Sequence, residues 1–182
     1  MGILLSLTLT TFYLIIQRKN ISKSYVFWSL LLVFYLSVLL SEVVGFPSLP
    51  EFNRLISRGD SLYHPLLNLI PFSEGIDISS ILNIIALIPL GVALKVMWHR
   101  FSHFIPTMMV GLLFSIMIEV GQLFTLFRQS DINDIIMNTL GVIVGWILAR
   151  YLFKWTIQRG SGKNLDWLLY FIISIVSVFL LG

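Results

Sequence analysis

Cysteine is absent from the 182 residues, which excludes disulfides and thiolate metal sites. Charge is scarce too. Only 12% of residues are Asp, Glu, Lys or Arg, against about a quarter in an ordinary soluble domain. The net charge of +3 is small and forms no basic stripe, so nucleic acid is not an expected partner. No nucleophile elbow, phosphate-binding glycine loop or histidine zinc motif occurs. What is present is apolar: 57% of the chain is hydrophobic. An all-α fold follows, a polytopic transmembrane helix bundle.

Six apolar segments are legible, at 2–16, 25–46, 78–97, 104–127, 132–153 and 165–181. A span needs about 20 apolar residues, so the first and last are short. The sequence therefore predicts about six spans in a single transmembrane domain over 1–182. Between the second and third segments, residues 47–77 form a long loop with Pro47, Pro50, Pro65 and Pro71. Its stretch Leu62 to Phe72 is apolar, broken by proline and too short to span. It reads as interfacial or re-entrant.

Charge sets an expected topology. Arg18, Lys19, Lys23, Lys95, Arg100, Arg150, Lys154, Arg159 and Lys163 fall on one side of the predicted spans, and Arg54, Arg58 and Arg128 on the other. The positive-inside rule then places both termini and the 47–77 loop outside, making that loop extracytoplasmic. A cleavable signal peptide is not expected, because the first segment lacks a basic start. Acidic residues have the opposite bias: Glu42, Glu51, Asp60, Glu74, Asp77, Asp131 and Asp134 lie at or beyond outer ends.

The polar residues inside this apolar chain concentrate in one stretch. Glu119 and Gln122 are three apart, and Asp131, Asp134 and Asn138 follow an i, i+3, i+7 spacing. Each set shares one helix face. Intramembrane polar groups are costly and by default face a functional interior. With the fourth segment ending near 127, Glu119 and Asn138 should lie at matched depths in the outer half. Asn83 joins them from the third segment. Arg128 sits in the short connection. The expected result is an outward-open polar pocket built from Asn83, Glu119, Gln122, Arg128, Asp131, Asp134 and Asn138. Glu119, Asp131 and Asp134 are the candidates for acid–base work, and carboxylates of this kind also suit a hard divalent cation. Plainer roles compete. Asp131 can cap a helix, Arg128 can pair with a neighbouring acid, and Asn83, Gln122 and Asn138 can bond helix to helix. Three carboxylates around one arginine require either a proton on Glu119 or a cation.

Other motifs carry less. Gly141-x-x-x-Gly145 is a close-packing signal. Pro89 with Gly91 suggests a kink or break in the third span. His99 and His103 sit four apart without further ligands in sequence, so no metal site is expected. Met1 to Ser6 fits a myristoylation pattern, and Asn20-Ile21-Ser22 a glycosylation pattern. Both lie on the wrong side of the expected topology.

Taken in order, Asn68-Leu-Ile-Pro71-Phe72, Asn83 through Pro89 to Gly91, Ser115-x-x-x-Glu119-x-x-Gln122, and Arg128-x-x-Asp131-Ile-Asn133-Asp134-x-x-x-Asn138-Thr139-x-Gly141-x-x-x-Gly145 resemble the VanZ-like family over about residues 65–150. The resemblance implies a bacterial cell membrane and a role linked to the envelope and to teicoplanin-type glycopeptide resistance. The expected function is binding or remodelling of a membrane lipid, a lipid-linked cell-wall molecule or a lipoglycopeptide antibiotic. Two alternatives stand beside it: an intramembrane hydrolase or transferase acting on a lipid-linked substrate, and a structural or partner-binding subunit.

Overall fold

The structure is a computed structural model and describes residues 1–17, 21–63, 66–72, 75, 77–126, 128–153 and 165–182. Arg18, Lys19, Asn20, Pro65, Glu74, Lys154, Arg159 and Lys163, used above, lie outside the described residues. The described chain is all-α apart from one short strand pair. It contains α1 (Gly2–Ile16), α2 (Lys23–Val43), α3 (Leu49–Arg58), α4 (Ile78–Met97), α5 (Phe104–Gln122), α6 (Ile132–Leu152) and α7 (Asp166–Leu181). Strands β1 (Leu67–Asn68) and β2 (Ser130–Asp131) run parallel. Helices α2, α4, α5 and α6 are long and apolar enough to cross a membrane, whereas α1 and α7 are shorter apolar helices. Two compact units result, Met1–Leu62 with Ile157–Gly182, and Tyr63–Thr156.

In the first unit, α1, α2 and α7 pack through small residues. Ser6 and Thr10 of α1, Ser37 of α2, and Ser174 and Ser177 of α7 have no exposed surface. Lipid is as apolar as a helix face, so close backbone approach and interhelical hydrogen bonds take over the work of a hydrophobic core. The Ser6 and Ser37 hydroxyls meet at 2.8 Å. A Cβ added to Gly2 would lie 2.7 Å from the Ser177 carbonyl oxygen. At the other end of α7, buried Asp166 accepts hydrogen bonds from the Tyr13 hydroxyl at 2.7 Å and the Tyr25 hydroxyl at 2.9 Å. One carboxylate thus joins three helices. Asp166→Leu leaves two hydroxyls without their acceptor. The expected cost is about 3 kcal/mol, two bonds to a charged group at the lower end of their range. A melting curve of the detergent-solubilised variant checks it; an unchanged midpoint contradicts it.

Helix α3 interrupts the loop at 47–77, where the sequence reading placed no helix. Pro50 near its start and Gly59 at φ 75 bound it, matching the preference for proline at the first turn and a left-handed residue after the last. Leu55 is buried, and Phe52 meets Phe179 of α7 edge-on with ring centroids 5.8 Å apart. Glu51, Arg54 and Arg58 supply its polar side, giving an interfacial type of helix. The Leu62–Phe72 stretch contains β1, a detail that composition alone does not announce.

In the second unit α4 and α6 approach most closely. A Cβ on Gly91 would collide with the Val142 carbonyl oxygen, one on Gly141 with that of Ile84, and one on Gly145 with that of Ile88. The close-packing reading of Gly141-x-x-x-Gly145 therefore holds, and Gly91 belongs to the same contact. Pro89 does not break α4, which continues from Ile78 to Met97. The opposite end of the unit is tied by side chains. The Trp146 indole donates to the Phe101 carbonyl at 3.0 Å, and Lys95 donates to the Phe153 carbonyl beyond the end of α6. A cation there also complements the negative end of the helix dipole.

Candidate functional site

The other end of the second unit is where the sequence motifs meet. Two helices begin there, each with an acidic cap. Asp77 accepts from the Ser80 backbone N–H at 2.9 Å and starts α4. Asp131 accepts from the Asn133 backbone N–H at 2.7 Å and starts α6. Both are short acceptor side chains that satisfy otherwise orphaned first-turn donors. The capping role weighed for Asp131 is thus real.

Asp131 is also a hub. Its second carboxylate oxygen accepts from the Asn68 amide at 3.1 Å. Its backbone N–H donates to Glu119 at 2.9 Å. The β1–β2 pairing sets Leu67 against Ser130 and Asn68 against Asp131. One turn of chain further on, the Phe72 N–H donates to the Asn133 side chain at 2.8 Å. The loop segment therefore turns its polar groups inward. Its apolar groups turn out: Leu66, Leu67, Leu69 and Ile70 are all exposed.

The rest of the cluster continues from helix to helix. Asn83 of α4 donates to Asp134 of α6 at 2.6 Å. Asn138 of α6 donates to the Ser115 hydroxyl of α5 at 3.1 Å. The matched depths expected for Glu119 and Asn138 are corrected here. Helix α5 ends at Gln122, not near 127, so Glu119 lies three residues from its end, about 4.5 Å at the helical rise. It stands level with Asp131, and Asn138 stands a turn lower, beside Ser115. Glu119 is nevertheless only 2% exposed, with β2 packed against the end of α5 and bonded to it. Its Oε1 and the Asn138 Oδ1 are buried with no hydrogen-bond partner among the described residues. Gln122 is buried as well.

A cavity of about 270 Å³ opens beside this cluster, lined by Gly75, Asp77, Ser79, Ser80, Gln129, Asp131, Asn133 and Asp134. Of the seven residues expected to form a pocket, Asp131 and Asp134 line it. Asn83 and Glu119 hold those two from behind. Asn138, Gln122 and Arg128 are not part of its wall. Arg128 is exposed, though its charge still reaches Asp134. Gly75, Asp77, Ser79, Ser80, Gln129 and Asn133 line it without having been expected there. Asp77-x-Ser79-Ser80 could have been found as a helix-start signal, but nothing in sequence spacing puts the start of α4 beside that of α6.

The wall is rich in acceptors. Three carboxylates face the space, and among the described residues no lysine or arginine lines it. Ser80 and Ser79 donate to Asp77 and hold its carboxyl down at about 2, so Asp77 stays ionised under all ordinary conditions. No group of three or more His, Cys, Asp or Glu among the described residues is placed to hold a metal ion. The cavity therefore suits hydrogen-bond donors and positive charge, and repels a bare anion.

Glu119 acts through its acceptor. Glu119→Gln keeps an oxygen for the Asp131 N–H and should fold within about 1 kcal/mol of the parent chain, whereas Glu119→Leu should lose about 1–3 kcal/mol by orphaning that donor. Thermal unfolding in detergent separates the pair; equal losses would contradict the assignment.

Fold and site together define a helical membrane protein whose second unit carries a capped, acidic polar cavity at one end. The chain belongs to the VanZ/LLP1 family, whose model matches residues 26–154. No curated protein and no solved structure matches it significantly.

Proposed function

We propose that the second unit binds the polar head of an amphiphilic cell-envelope molecule, one that presents amine or hydroxyl donors. The cavity wall of Asp77, Asp131 and Asp134 carries this reading. The loop segment supports it, with Asn68 bonded to Asp131 while Leu66, Leu67, Leu69 and Ile70 face outward. A head in the cavity would leave its tail against that apolar side. A lipid-linked wall precursor or a teicoplanin-type lipoglycopeptide fits the description, and the glycopeptide-resistance link implied by the family resemblance fits the second.

Asp134→Asn tests the class of function. Asparagine keeps the size and can still bond Asn83. A binder should lose about tenfold in affinity, the equivalent of one weakened charge-assisted bond. A hydrolase or transferase using that carboxylate should lose nearly all turnover of a lipid-linked substrate. A purely structural role predicts loss of folded protein instead.

The charge bias supports an outward location for the site. The cavity end, α3 and both termini face outward in this proposal. A cysteine placed at Arg58 should react with an impermeant reagent in intact cells, and one placed at Lys95 should not. The reverse labelling would put the cavity on the inner face and remove envelope molecules as ligands.

A further inference from the structure

We infer that the first unit carries a separate site for an anionic phospholipid, away from the acidic cavity. A groove of about 260 Å³ is lined by Thr11, Leu14 and Ile15 of α1, Ile21, and Lys23, Val26 and Leu30 of α2. The α1 residues are spaced i, i+3, i+4 and those of α2 i, i+3, i+7, so each set forms one continuous helix face. The Thr11 hydroxyl is turned back onto the Leu7 carbonyl at 2.8 Å. Every other lining side chain except Lys23 is hydrocarbon. Among the described residues the groove is thus apolar along its length, with one positive charge, Lys23, at one end.

That end is also the start of α2. Ser22 caps it, accepting from the Tyr25 N–H at 3.1 Å. The N–H groups of Lys23 and Ser24 belong to the first turn and have no acceptor within the helix. Lys23 and the positive end of the helix dipole carry the same sign at this end of α2. An acyl chain along the groove with its phosphate at Lys23 satisfies both ends. A zwitterionic lipid offers the same chain but cancels the headgroup charge. Basic pockets between membrane helices select anionic headgroups on this principle.

The test uses the full-length chain in detergent, with dioleoyl phosphatidylglycerol or dioleoyl phosphatidylcholine added and bound lipid counted by native mass spectrometry. The tightest bound lipid should favour the glycerol headgroup by about fivefold, the factor expected of one lysine near the surface. Lys23→Glu should bring that ratio to about one, and Lys23→Arg should keep it. Lys23→Glu should fold, because an acid is well placed at a helix start. Val26→Trp fills the groove and should remove the tightest lipid whatever its headgroup. Equal retention of the two lipids overturns the inference, as does a preference that survives Lys23→Glu. So does a dimer mass that takes the place of lipid adducts and vanishes in Val26→Trp, since the groove then holds a second copy.

Discussion

Gly145→Leu yields no folded protein. The Cα of Gly145 sits where any Cβ would meet the Ile88 carbonyl oxygen and lie 3.1 Å from the Gly91 Cα. Neither is a flexible side chain that can move aside. The helices must separate, and Gly91 and Gly141 lose their own backbone contacts with them. Overpacking a well-fitted site costs about 1–3 kcal/mol where side chains can yield; here the obstruction is main chain on both helices. Leu140→Ala is the control, because Leu140 is 41% exposed on the same helix and its loss should be nearly neutral. Size-exclusion chromatography of the detergent extracts reads both. A sharp, parent-like peak for Gly145→Leu would mean that α4 and α6 do not pack as described.

The double variant Asp131→Asn, Asp134→Asn is expected to fold and to lose affinity for the proposed amphiphile. Each asparagine keeps one acceptor oxygen, for the Asn133 N–H in one case and the Asn83 amide in the other, and at 131 only the Asn68 amide loses its acceptor. Two of the three charges facing the cavity disappear. Two charge-assisted bonds reduced to neutral ones amount to about 3 kcal/mol, or roughly 100-fold in affinity. Titration of a fluorescent teicoplanin-type lipoglycopeptide into protein-containing nanodiscs measures it. Acylating the probe's amine should weaken binding to the parent chain and make little difference to the double variant. An affinity unchanged in the double variant would show that the carboxylates hold the fold and not the ligand.

Much of this architecture is written in local sequence. Six apolar stretches become six helices, because an apolar run of that length has few alternatives in a bilayer. Gly141 and Gly145 announce a helix contact through spacing alone, although the partner, Gly91, is visible only once α4 and α6 are paired. The polar run from Glu119 to Asn138 marks the site, and the structure shows why a linear reading distributes its residues imperfectly. Helix α5 stops at Gln122, so the turn that follows folds back and lets Asp131 bond Glu119 at the end of the helix. Asp77, Ser79 and Ser80 enter the wall from a distant part of the chain. Within the Leu62–Phe72 stretch, Asn68 finds Asp131 and fixes a strand pair that composition alone does not announce. Asp166 was overlooked for a related reason. An acid opening an apolar segment looks like an ordinary first-turn residue, and Tyr13 and Tyr25 reach it across 153 and 141 positions of sequence.

The central claim is that an amphiphile places its head in the Asp77, Asp131 and Asp134 cavity and its tail along the 66–72 segment. Photocrosslinking tests it most directly. A lipoglycopeptide with one diazirine beside its amine and another on its acyl chain is irradiated with the protein in nanodiscs, and the adducts are mapped by peptide mass spectrometry. The account predicts head-group adducts in 75–80 and 129–134 and acyl adducts in 66–72, both displaced by unlabelled ligand. Adducts spread over the lipid-facing sides of the helices, and indifferent to competitor, would contradict it.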